Sequence, residues 1–410
     1  MTDPSGLRVA VVIEAFDPHG GGNERSTAQT VAGLTARGHT VTVVTAAASV
    51  DAAAWTDRHG AGLREIGPGR LRTARRLRAF ARRAAAYAGG GSFDVGLSVT
   101  TAVPADVLQP RGGTAAEARR RNAARRGGGR AAGLMDLAGG LNRKRAVLRR
   151  LEACTLTDPR VRKIVAISDY VTRQLREHHA VDPRRVVRID NAAVSPRRGL
   201  DDGAWTRLRA EHRLRWGLTP EDTALLFAAY NPALKGFDEL LAAFARLNAD
   251  PPASAPVLLL AGPLNRARAR AAARVGGAAV VPLGALRDPA AAFAACDAVV
   301  LSTWYDPCSR VVLEGLMVGR PAVTTAYNGA ADVVCPPGGP ARGAVVRDPA
   351  DGPALTAALR AACNPPRRAS WARAAAGLED RLGMSRHVGE LEAVLRAAAA
   401  ERAAAGRRPG

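Results

Sequence analysis

Aromatic side chains are scarce in this chain: Phe, Trp and Tyr together make up 4% of it, although apolar residues reach 47%. Its cores must therefore be built mostly from Ala, Val and Leu. Cysteine is sparse too. Cys154, Cys296, Cys308, Cys335 and Cys363 are scattered, odd in number and without a C-x-x-C pair. That spacing argues against both a disulfide framework and a zinc site, and suits a reducing cytosol. No charge-free run approaches ~18 apolar residues, so no transmembrane helix is expected. The opening MTDPSGLRVAVVIEAF lacks the basic start and long apolar core of a signal peptide. Acidic residues are outnumbered, 37 against 59 Lys and Arg, for a formal net charge of +22. Such a balance favours polyanionic partners: nucleic acid, anionic lipid or a phosphorylated substrate.

What is present alternates between strand and helix. Residues 7–16, LRVAVVIEAF, form a continuous apolar run, as in a strand covered on both faces. The Gly-rich DPHGGGN (17–23) follows, with Asn23 as the expected helix cap. ERSTAQTVAGLTARG (24–38) has helical periodicity with Gly38 placed to end it, and HTVTVVT (39–45) is the next strand. The pattern predicts a parallel sheet flanked by helices. FDVGLSVT (93–100) and RVRKIVAISDYV (160–171) add strands, the latter running into a helix capped by Ser168 or Asp169. The alternation restarts with DTALLFAAY (222–230), then FDELLAAFARL (237–247), APVLLLAG (255–262), CDAVVLS (296–302), SRVVLEGLMVG (309–319) and RPAVTTA (320–326). A chain of 410 residues exceeds what one core usually holds. Two Rossmann-like domains facing each other across a cleft are expected: 1–190, then 191–385. Residues 386–410 would form a final helix and an Ala/Arg-rich tail, frayed after about Ala397.

Two first-half segments are strongly basic. Residues 69–86 carry seven arginines and no acid, and 111–150 hold only Glu117 and Asp136 against many arginines. Both read either as a solvated face or as an attachment surface for an anionic membrane. A nucleic-acid surface is disfavoured, because aromatics are sparse in these stretches and no nucleic-acid motif accompanies them. The adjacent His178 and His179 read as solvated rather than as metal ligands.

Three stretches could carry chemistry. HGGGNER (19–25) places glycines between a strand and a helix start, where Gly21 and Gly22 would let backbone approach an anion; the alternative is a plain tight turn. NPALKG (231–236) places Lys235 beyond the first strand of the second half, which suits a phosphate, or equally a surface lysine. YDPCSRVVLEG (305–315) places Asp306 before a helix and Glu314 within it. The helix-start N–H groups of Cys308, Ser309 and Arg310 are expected to point into the cleft. Eight residues at ~1.5 Å rise separate the two carboxylates by up to ~12 Å, too far for a shared proton but suited to an elongated polyhydroxylated ligand. The alternative makes Glu314 the partner of an arginine and Asp306 a simple cap.

In this order, and over roughly 8–390, these stretches resemble the GT-B fold glycosyltransferases of family 4. Within that family they resemble the lipopolysaccharide core glucosyltransferase I group. The segments concerned are GGGNERSTAQTVAGLTARGHTVTVVT, RVRKIVAISDYVTRQLREHHAVDPRRVVRIDNAAV, YNPALKGFDELLAAFARL and YDPCSRVVLEGLMVGRPAVTTAYNGAADVV. The resemblance implies retaining transfer of a hexose from a nucleotide diphosphate sugar, UDP-glucose-like, to a saccharide or glycolipid acceptor, with no metal or other cofactor. By the same resemblance Glu314 would hold the ribose hydroxyls and Asp306 the transferred sugar. Cys308, Ser309 and Arg310 would contact sugar and diphosphate, Lys235 would neutralise the diphosphate, and Gly21 and Gly22 would approach it. ADVLQPRGG (105–113) resembles the segment bearing the acceptor-side catalytic residue, which points to Asp106. A cytoplasmic enzyme, peripheral on the inner membrane face, is the expectation; a non-catalytic sugar-nucleotide binder and a basic nucleic-acid-binding protein are the alternatives. The chain departs from the family's pattern at three places. NPAL lacks the arginine that usually accompanies the lysine, with Arg197 and Arg310 as candidates to replace it. NAAV (191–194) replaces an NGVD-like crossing. Arg111 stands where relatives tend to have histidine.

Overall fold

A computed structural model describes residues 6–127, 143–276, 279–286 and 288–406. The chain divides into two compact units: residues 1–191 with 384–410, and residues 192–383. The final helix, Met384–Gly406, therefore belongs to the first unit and not to a separate tail. It does not fray at Ala397: Val388, Leu391, Leu395 and Ala398 are buried against Val31 and Leu34 of the helix Gly22–Thr35. Gly33 permits this approach, since a Cβ there would sit 2.7 Å from a Val388 methyl.

The first unit holds seven strands: β1 (Arg8–Ile13), β2 (Thr40–Thr45), β3 (Gly62–Glu65), β4 (Val95–Ser98), β5 (Val107–Leu108), β6 (Lys163–Ala166) and β7 (Val186–Arg188). All neighbours pair in parallel, in the order β3-β2-β1-β4-β5-β6-β7. Helices cover both faces, so β1 is apolar on both sides and Val9 to Ile13 are buried. The helix Gly22–Thr35 begins at Gly21 rather than Asn23, and the Glu24 carboxylate accepts the Gly21 N–H at 3.0 Å. Ser168, not Asp169, caps the helix Asp169–His179.

The second unit repeats the architecture with six strands: β8 (Thr223–Ala228), β9 (Pro256–Ala261), β10 (Val280–Gly284), β11 (Ala298–Leu301), β12 (Ala322–Thr325) and β13 (Gly343–Val346). Their order is β10-β9-β8-β11-β12-β13, again all parallel. In each sheet the order reverses once, between β1 and β4 and between β8 and β11. Loops leave the two central strands in opposite directions there, which opens a crevice at the carboxyl edge where such sheets bind ligands.

The basic segments resolve into helices. Ala74–Ala88 buries Leu77, Phe80, Ala81, Ala84, Ala85 and Ala88, and exposes Arg75, Arg76, Arg78, Arg82 and Arg83. Ala115–Ala124 and Arg143–Thr157 account for the ends of the second segment, whose residues 128–142 lie outside the described residues. Among the described residues no helix is long and apolar enough to cross a membrane.

The histidine pair is not solvated. His178 meets the buried Glu117 carboxylate at 2.8 Å, and His179 meets the buried Glu152 at 3.0 Å. Burial alone would push the Glu117 carboxyl up. Arg121, His178 and Tyr170 all bond to it and together hold it below the usual carboxylate range. Hydrogen bonds from His178 and Tyr170 to Glu117 and between His179 and Glu152 thereby tie three helices together, a tie that the pattern REHHAVD does not disclose.

Candidate functional site

The crevice of the second unit is framed by the loops after β8 and β11, which are stitched together. The Ser302 hydroxyl donates to the Gly236 carbonyl at 2.8 Å, and the Thr303 hydroxyl and Trp304 N–H both donate to the Leu234 carbonyl. Gly236 starts the helix Phe237–Ala249 at φ +76°, and a Cβ there would collide with the Ser302 carbonyl; only glycine allows the loops to lie this close. Two of the few aromatics, Trp304 and Tyr305, are buried here, with the Trp304 indole N–H donating to Glu239 at 2.8 Å.

This stitching brings Lys235 and Asp306 together. The Lys235 ammonium lies 2.6 Å from Asp306 Oδ2 and 3.1 Å from the Tyr305 carbonyl. An ammonium has three donors, so two are directed by the protein. Lys235 is thus aimed by its partners and is not a loose surface lysine. Asp306 Oδ1 accepts the Cys308 N–H at 3.2 Å. The Ser309 N–H donates to Asn328 Oδ1 at 3.0 Å. The expectation that both amides are open is therefore corrected: each has an acceptor inside the unit, because the chain turns sharply between Asp306 and the helix Arg310–Met317. Glu314 lies in that helix, 3.8 Å from the Arg310 guanidinium one turn earlier, so the arginine-partner reading of Glu314 holds as geometry. Arg197, the other candidate, pairs with Asp202.

Asn328 was not singled out in the sequence, yet it organises the site. It is buried, its Oδ1 accepts from Ser309 and Ala330, and its Nδ2 donates to the Thr324 hydroxyl at 2.9 Å. Main-chain bonds from Asp306 to Tyr327 and from Gly329 to Asp306 complete the bracket. The Asn-Gly pair after a strand was the available signal, since it marks a tight turn.

In the first unit, Gly21 and Gly22 stand at the N-terminus of the helix Gly22–Thr35, within the loop that leaves β1. Asp106 is in the wrong place for acceptor chemistry. It precedes β5, at the amino edge of the sheet, where it accepts the Gly96 N–H at 2.9 Å and pairs with Arg402 of the final helix at 2.9 Å. Arg162 lies 3.6 Å away. It is a buried structural anchor, which corrects the catalytic reading. A carboxylate at the carboxyl edge of this unit, beside its strand-order reversal, is Glu14, directly after β1; it accepts the Thr100 hydroxyl at 2.9 Å across that reversal. Glu14 was missed because it was read as part of the strand's apolar run. Arg111 is buried among hydroxyls, its guanidinium bonding to Ser26, Thr27, Thr30 and Gln109.

Residues 221–364 match the family model described as Glycosyl transferases group 1. Solved structures resemble nearly the whole chain. WaaG, a glycosyltransferase involved in lipopolysaccharide biosynthesis, aligns at 20% identity with a TM-score of 0.74, covering 94% of this chain and 99% of its own. Anabaena Alr3699/HepE in complex with UDP and glucose aligns at 14% identity and TM-score 0.67, covering 95% and 100%. Sucrose-phosphate synthase from Thermosynechococcus elongatus aligns at 17% and 0.67, covering 96% and 100%. At these identities the likeness establishes the fold, which is GT-B. No curated protein sequence matches the chain.

Proposed function

We propose that this chain, whose residues 221–364 form a group 1 glycosyl transferase domain on a GT-B fold, transfers a hexose from a nucleotide diphosphate sugar with retention at the anomeric carbon. The donor is UDP-glucose-like and the acceptor a saccharide or glycolipid. The observation that carries this reading is the Lys235–Asp306 pair, which spans the strand-order reversal of the second unit.

The chemistry follows from the groups present. Cleaving the bond between the sugar and the diphosphate leaves negative charge on the departing phosphate. The third Lys235 donor is available to that phosphate, while Asp306 and the Tyr305 carbonyl hold the ammonium in place. Asp306 in this reading accepts a hydroxyl of the transferred sugar, and Glu314 accepts the ribose hydroxyls. In this reading the acceptor oxygen bonds the anomeric carbon on the face the phosphate leaves, and its proton passes to the phosphate. Part of the leaving charge falls to Lys235 in this scheme, which invokes no metal.

Glu14 replaces Asp106 as the acceptor-side carboxylate. Glu14→Gln is expected to lower kcat by roughly 10²-fold, the effect of losing a group that orients the acceptor hydroxyl. Asp106→Asn is expected to lower the melting temperature while leaving kcat of the folded enzyme within about threefold. A normal melt with abolished kcat in Asp106→Asn would restore it to catalysis.

The outward arginines of the helix Ala74–Ala88 suit an anionic lipid surface, each worth about 1 kcal/mol close to it. In vesicle flotation at low salt, Arg82→Glu/Arg83→Glu should shift the protein from the floating to the soluble fraction. Equal flotation of variant and wild type would remove the helix from membrane attachment.

A further inference from the structure

We infer that the second unit carries an additional binding site, distinct from the Lys235 crevice, for a phosphorylated small molecule of nucleotide size. A pocket of about 700 Å³ opens beside the loop 250–255, a volume in the usual range for small-molecule sites. Three arginines from three helices line it: Arg246 late in Phe237–Ala249, Arg360 late in Gly352–Cys363, and Arg367 in the first turn of Pro365–Ala374. Asp250 compensates Arg360, bonding to it at 2.7 Å through both its carboxylate and its carbonyl. The Arg246 and Arg367 side chains have no hydrogen bond or ion pair among the described residues. Both line the same pocket, so an anion seated in it can take charge-assisted hydrogen bonds from either.

The rest of the lining indicates the size of the ligand. Prolines and alanines form nearly half of the wall, and Ser254 and Thr356 also line it. Apolar side chains beside two guanidiniums suit a ligand with a ring and more than one phosphate. The place is also separate from the Lys235 crevice. Loop 250–255 feeds the first residue of β9 at the amino edge of the sheet, whereas Lys235 and Asp306 follow strand ends at the carboxyl edge. The six residues of β9 put roughly 16 Å between those edges.

The test is calorimetric titration with inorganic tripolyphosphate at physiological salt in the Lys235→Ala background, which removes the proposed donor-phosphate contact. Saturable binding is expected to persist in Lys235→Ala, to weaken at least tenfold when Arg246→Glu/Arg367→Glu is added, and to change less than twofold when Arg82→Glu/Arg83→Glu is added instead. Arg246→Gln/Arg367→Gln, checked for an unchanged melt, should also weaken binding and guards against misfolding. Binding lost already in Lys235→Ala, equal loss in both charge-reversed variants, or no loss in either Arg246/Arg367 variant would overturn the assignment. The first outcome would place the anion in the donor crevice and leave the transferase reading standing.

Discussion

Lys235→Ala is expected to reduce kcat/KM for nucleotide-sugar turnover by about 10²–10³-fold, the loss typical of removing one preorganised charge-stabilising donor. The ammonium is held by Asp306 and the Tyr305 carbonyl, so it does not have to be reoriented when charge develops on the leaving phosphate. Its loss should appear in kcat as well as in KM, because the charge it meets is larger at the transition state than in the bound donor. Glu314→Ala should act differently, weakening donor binding with a smaller effect on kcat at saturation, since ribose contacts change little during the reaction. Steady-state kinetics against a panel of nucleotide diphosphate sugars separates the two. Wild-type kcat/KM in Lys235→Ala would show that the phosphate is bound elsewhere.

Asp297→Ala is expected to give the largest loss of stability. Asp297 is buried where the amino ends of β8 and β11 meet the helix Asp202–Arg215. It bonds Arg209 at 2.7 Å, Arg213 at 3.1 Å and the Ala224 N–H at 2.8 Å. Removing the carboxylate leaves two guanidiniums, one of them buried, without their counter-charge and with main-chain carbonyls as their acceptors, at a cost of about 3–5 kcal/mol. For a domain of this size that is a fall of about 6–20 °C in melting temperature by calorimetry. A shift below about 2 °C would mean that the carbonyl acceptors of Arg209 and Arg213 suffice without the carboxylate.

The same network sets an acid limit. Burial would raise the Asp297 carboxyl, but Arg209, the Ala224 N–H and Arg213 outweigh it and hold the carboxyl below its ordinary value. Glu117 is lowered in the same sense by Arg121, His178 and Tyr170. With folded values below unfolded ones, the unfolded chain binds more protons as pH falls through about 4. This stabilisation is therefore complete above the unfolded values and disappears toward stronger acid.

The alternation of strands and helices was legible because strands covered on both faces read as apolar runs, as VAVVI and LLLA do. Lys235, Asp306 and Glu314 were legible as well, since a lysine on a Gly-Pro loop and a carboxylate in an apolar helix each break a local pattern. Non-local geometry was not legible. Nothing in ADVLQP shows that Asp106 precedes its strand rather than following it, a difference that moves the side chain to the opposite edge of the sheet. Nothing near residue 306 shows that Asn328 will turn back to take the Ser309 amide. The bonds that hold Glu117 to His178 and Glu152 to His179 likewise join residues far apart in sequence.

Co-crystallisation with a nucleotide diphosphate sugar tests the central claim most directly. The account predicts a diphosphate oxygen within hydrogen-bond distance of Lys235 Nζ and ribose hydroxyls on Glu314. A nucleotide bound with its diphosphate away from Lys235, against Arg246 and Arg367 or anywhere else, would contradict it.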